Sequence, residues 1–102
     1  MKISLILATT AAVATKQECN TQGYDTAVFS AGGLAGAEKA YLFFESGGAW
    51  VVANDESGVA IEMSVTKPIR AVMGGLRYAV TKDATVGAVQ VEVDLKQTGY
   101  SS

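Results

Sequence analysis

The sequence predicts an all-β protein: an antiparallel β-sandwich or barrel of about seven to eight short strands with an extended N-terminal arm. Three observations carry that expectation. Apolar residues recur at every second position in segment after segment, the spacing that sets one face of a strand on a core and the other outside. Glycine pairs at Gly32-Gly33, Gly47-Gly48 and Gly74-Gly75 punctuate those segments, as tight turns require. Outside residues 9–16 no stretch carries the period of an amphipathic helix. Even there Thr9, Thr10, Val13 and Thr15 are β-branched, which favours extended backbone over the helical preference of the alanines.

Taken in order, residues 1–24 are expected to form an N-terminal strand or arm and a connector, with residues 25–102 as the sandwich domain. The first fourteen residues have the outline of a short signal peptide with an Ala12-Val13-Ala14 box. Against that reading, the strongly apolar part runs only from Ile3 to Leu7, includes Ser4 and follows a single lysine. A strand or clamped arm over residues 2–7 fits better. No stretch approaches the roughly 20 apolar residues that span a bilayer.

Residues 26–30 read as a strand ending at Gly32-Gly33, and residues 39–45 as a stronger one. There Ala40, Leu42 and Phe44 share one face while Tyr41 and Phe43 share the other. Apolar residues on both faces mean that the outer pair lies under the arm, under a loop or in an interface. Gly47-Gly48 predicts a hairpin returning through residues 49–53, with Trp50 near its start and in phase with apolar neighbours. After the polar turn at residues 54–58, Val59, Ile61, Met63 and Val65 follow on one face of a strand, with Ala60, Glu62 and Ser64 opposite, and Lys67-Pro68 ends that strand. Residues 69–73 and 76–81 are expected as a further pair around Gly74-Gly75. In the last strand Val89, Val91, Val93 and Leu95 face inward, opposite Gln90, Glu92, Asp94 and Lys96.

Composition narrows the function. A hydrophobic fraction of 49% and a charged fraction of 18% describe a globular chain. The lysines and arginines are scattered and the net charge is −2, so no basic stripe invites nucleic acid. Cys19 is the only cysteine, which excludes an intrachain disulfide and a cysteine-based metal site. It reads as a small buried side chain, and a reducing compartment is the natural setting.

The catalytic inventory is thin. With no histidine, the commonest general base and metal ligand is missing. Neither a Ser-x-x-Lys nor a Gly-x-Ser-x-Gly sequence occurs. Asp55-Glu56 has too few spaced oxygen ligands for calcium and reads as a plain turn. Gly33 to Gly36 is not followed by a helix and makes no phosphate cradle. The expectation is therefore a non-enzyme without cofactor or metal whose work is done by surfaces. Ile3, Leu5, Leu7, Tyr24, Tyr41, Phe43 and Tyr100 are the candidate interface residues. A carbohydrate- or ligand-binding module using Trp50, Tyr24 and Tyr78 as stacking platforms is the alternative.

The order of features from residue 33 onward resembles a group of small tailed-phage virion proteins. The residues that carry the likeness are the Gly-rich turn before Ala37-Glu38, the strand Tyr41-Leu42-Phe43-Phe44-Glu45, Gly47-Gly48-Ala49-Trp50 and the acidic turn from Asp55 to Gly58. Lys67-Pro68-Ile69-Arg70, the stretch from Gly75 to Lys82, and Thr85-Val86-Gly87-Ala88-Val89 continue it. Such proteins include capsid decoration, or cement, proteins that bind the outside of the shell. The resemblance implies a virion location, a homo-oligomer, a major capsid protein or other virion protein as partner, and no catalytic residues.

Overall fold

The structure, a computed structural model, describes residues 1–97. Tyr100 lies outside the described residues. In chain order the strands are β1 (Lys2–Thr9), β2 (Val13–Asn20), β3 (Thr26–Gly32), β4 (Ala40–Ser46) and β5 (Ala49–Val52). There follow β6 (Glu62–Met63), β7 (Ile69–Met73), β8 (Arg77–Lys82) and β9 (Val89–Lys96). All pairings are antiparallel, and among the described residues there is no helix. The first sheet has the order β1-β9-β3-β7 and the second β2-β8-β4-β5, with β6 beside the first half of β4.

The two sheets enclose one apolar core. Ala27, Phe29 and Ala31 of β3 and Val91, Val93 and Leu95 of β9 face Leu42 of β4, Met63 of β6, and Tyr78 and Val80 of β8. Phe29 meets Tyr78 edge to face, with ring centroids 5.5 Å apart, the arrangement that the ring quadrupoles favour. Cys19 joins this core from β2, and burial pushes its thiol pKa up, which suppresses the reactive thiolate.

The segment expected as arm and connector is part of the sandwich. β1 pairs with β9 and β2 with β8, so residues 2–9 and 13–20 form an edge strand of each sheet. The pattern of β2 hides this, because an edge strand with a register break between Val13 and Gln17 buries few side chains on either side. Ile6 is buried, and Ile3 and Leu5 are half-buried against the core.

Two further expectations are corrected. Residues 59–65 do not form one long strand: Ile61 and Met63 are buried, but Val59 and Val65 are exposed. The Asp55 carboxylate accepts the amides of Ser57 (2.9 Å) and Val59 (3.0 Å), which keeps Val59 in the turn. Beyond Met63 the chain leaves the second sheet for the first, so only Glu62 and Met63 pair with β4. Nor do β7 and β8 pair with each other; they lie in opposite sheets. The corner between them is clamped on Thr21, whose hydroxyl donates to the Leu76 carbonyl (2.6 Å) and accepts the Leu76 amide (3.0 Å). At this corner a Cβ on Gly74 would overlap the Tyr24 carbonyl, so the backbones touch where only glycine fits.

At the other end of β8, Lys82 is 2% exposed. Its ammonium donates to the Asp83 carbonyl (3.1 Å) and the Thr85 hydroxyl (3.2 Å). These bonds tie the loop before β9 to the end of the sandwich, and the Thr85 amide adds a bond to the Thr10 carbonyl (3.0 Å).

Candidate functional site

Alternation along β4 sends Ala40 and Leu42 inward and Tyr41, Phe43 and Glu45 outward. The pairings then place their neighbours. On one side Phe43 stands opposite Val52 and Glu45 opposite Trp50; on the other, Tyr41 stands opposite Thr81 and Phe43 opposite Ala79. Beyond β8, Glu18 of β2 lies opposite Ala79. The outer face of the second sheet thus carries Tyr41, Phe43, Trp50 and Val52 as one continuous apolar surface, bordered by charges.

Those charges hold the rings in place. Arg77 pairs with Glu18 through one guanidinium nitrogen and with Glu45 through the other (2.8 Å). The same guanidinium sits 5.7 Å from the Trp50 ring centroid, and the Lys16 ammonium lies 4.5 Å from that of Phe43. Cations over ring faces contribute roughly 0.5–1 kcal/mol at exposed sites. Ala79 points outward yet is 0% exposed, covered by its longer neighbours.

Tyr41 is fixed by its hydroxyl, which donates to the Asp83 carboxylate at 2.6 Å. That hydrogen bond, then burial, then the negative charges of Asp83 and Glu62 push its pKa from the ordinary 10 up to about 12. Below the face, Lys39 pairs with Glu62 at 3.1 Å. Four strands and their side-chain bonds therefore present the rings in a set geometry.

Of the residues singled out from sequence, Tyr41 and Phe43 belong to this face and are half-buried. Strand β1 lies in the other sheet, and of residues 1–24 Lys16 of β2 reaches over Phe43. Leu7 is 78% exposed, on β1 of the other sheet. Tyr24 is half-buried near the N-terminus, its hydroxyl 4.0 Å from the Met1 sulfur. The stacking platform of Trp50, Tyr24 and Tyr78 is not assembled: Tyr78 is buried, and its hydroxyl donates to the Met73 carbonyl at 2.6 Å. Lys16, Glu18, Glu45 and Arg77 were not singled out. Glu45 shares the phase of Tyr41 and Phe43, but the adjacency of Arg77 follows only from the order of strands.

Clefts open at the sides of the sandwich. One, of about 410 Å³, lies between β7 and the turn after β5 and is lined by Phe44, Asp55, Glu56, Ile61, Val72 and Tyr78. The other, of about 400 Å³, lies between β1 and β2. Among the described residues no group of three or more Cys, Asp or Glu side chains converges to hold a metal ion. Comparison with family models, with curated proteins and with solved structures returns no match for this chain.

Proposed function

We propose that this chain is a structural docking protein of a virion, a capsid decoration (cement) protein that binds the outside of a tailed-phage head. Its attachment surface is the outer face of the second sheet. One observation carries the reading: Tyr41, Phe43, Trp50 and Val52 form a continuous, half-open apolar face held by Arg77, Lys16 and Asp83. Aromatic residues and arginine are the types enriched at the centres of interfaces. Rings already fixed by their neighbours lose little freedom on binding, which lowers the entropic cost of docking. The resemblance of residues 33–93 to small virion proteins supplies the kind of partner, a major capsid protein or other shell component.

Size argues for several copies acting together. Four strands about 4.8 Å apart, each presenting about five residues, project roughly 300 Å². A standard interface buries about 800 Å² per partner. One face alone would bind weakly, whereas an oligomer presenting several faces to a repeating lattice gains from avidity.

Co-sedimentation with undecorated shells tests the reading. Phe43→Glu and Trp50→Ala should each weaken decoration at least about tenfold, because each removes a central apolar contact, while circular dichroism remains that of the unaltered fold. Folded variants that decorate shells normally would refute this attachment.

A further inference from the structure

The edges of the two sheets are protected unequally. An open edge offers N–H and C=O groups to any passing strand, and proteins blunt it with bulges, charges or brevity. β1 carries Lys2 and register breaks between Ser4 and Ile6 and between Ile6 and Thr9. β2 breaks between Val13 and Gln17 and carries Lys16 and Glu18. β5 ends after 4 residues. β7 has no bulge and pairs evenly with β3 from Ile69 to Met73. Its outer row is Ile69, Ala71 and Met73, and the two large residues are 63% and 70% exposed.

The hydrogen-bond phase of β7 follows from its ends. The Ala31 amide donates to the Pro68 carbonyl (3.0 Å), and the Gly74 amide to the Asp25 carbonyl (2.8 Å). By alternation, Arg70 and Val72 bond to β3, whereas the N–H and C=O groups of Ile69, Ala71 and Met73 point to the open side. The Tyr78 hydroxyl meets the Met73 carbonyl there, which leaves that oxygen a second lone pair.

We infer that β7 pairs antiparallel with β7 of a second copy about a two-fold axis at Ala71, joining the first sheets of both copies into one. The register is self-complementary. Ala71 meets Ala71 of the other copy, Ile69 meets its Met73 and Met73 its Ile69, with two backbone bonds in each pair. The largest exposed apolar side chains of the edge then cover one another. Arg70 does not enter the pairing through its side chain: its guanidinium donates to the Glu62 carbonyl of its own copy (3.1 Å). Ile69 and Met73, both exposed, lie equally far on either side of the small Ala71, so a second copy covers both at once, and it is the occupant inferred. The pairing is independent of shell binding and is measured without shells, so either idea can fail alone.

Sedimentation velocity of the purified full chain over a range of concentrations should show a dimer that dissociates on dilution. Ala71→Pro removes a donor that β3 does not use and should weaken the dimer at least about tenfold with the fold intact by circular dichroism. The register is tested by charge. Ile69→Lys with Met73→Lys should abolish the dimer; Ile69→Lys with Met73→Glu should retain it, because the axis sets each introduced lysine against an introduced glutamate. A wild-type chain that stays monomeric at its highest soluble concentration overturns the inference, even if it takes up an extended peptide along β7. So does an Ala71→Pro variant that dimerises as the wild type does, or a pair of double variants that behave alike.

Discussion

The two outer faces of this sandwich arise from the same alternation and differ in kind. On the first sheet, β9 presents Gln90, Glu92, Asp94 and Lys96, with Lys2 and Ser4 of β1 beside them. Its ion pairs are open: Lys2 to Glu92 and Lys96 to Asp94 are both 3.9 Å, and the N-terminal ammonium lies 3.3 Å from Asp94. Pairs of this sort contribute about 0–1 kcal/mol each. On the second sheet the outward positions hold rings, and partly exposed charges lie over and beside those rings. Period two says that a face exists; the side chains on it separate the solvated stretch of β1 and β9 from stretches suited to a partner.

The broadest test of this picture concerns the edge strands. Deleting residues 1–10 would strip β1 from β9 and uncover the core beside Ile6. The expected outcome is loss of cooperative unfolding in a thermal or denaturant melt. A truncated chain that still melts cooperatively would return this segment to the status of a detachable arm.

Next come two phenylalanines on opposite sides of their sheets. Phe29 is fully buried, and Phe29→Ala should cost about 3–5 kcal/mol in a urea melt. Phe43 is only half-buried, so Phe43→Ala should cost about 1–2 kcal/mol, mostly lost area. Equal costs would make Phe43 a core residue and erase the contrast between the inside and the outside of the second sheet.

The smallest effect is read by titration. Tyr41 should ionise near 12 in an ultraviolet titration, and Asp83→Asn should bring it back toward 10. Because its folded-state pKa lies above the unfolded value, the stabilisation from the Tyr41–Asp83 bond is fully present below pH 10. It fades as the pH rises toward about 12. A Tyr41 that titrates at its ordinary value in the wild-type protein would mean that the outer face is not held as described.

Much of the fold is legible in the chain. β9 shows its two faces residue by residue, and Gly47-Gly48 marks the tight hairpin from β4 to β5. The outward phase of Tyr41 and Phe43 was readable too. β2 was not, because an edge strand with charged residues at Lys16 and Glu18 has almost no apolar alternation to see. The Arg77 clasp was hidden for another reason: Glu18 and Glu45 lie far from Arg77 along the chain and meet it only across neighbouring strands.

By itself, the order of residues determined an all-β chain, most of its strands and which side of each one is apolar, because alternation and turn chemistry act within a few neighbours. Only the tertiary structure decided which strand lies beside which. β7 and β8 follow one another yet belong to opposite sheets, and nothing local distinguishes a hairpin from a crossing between layers. That choice rests on burying Phe29 against Tyr78 and on the contact of Gly74 with the Tyr24 backbone, which exist only once distant segments have met.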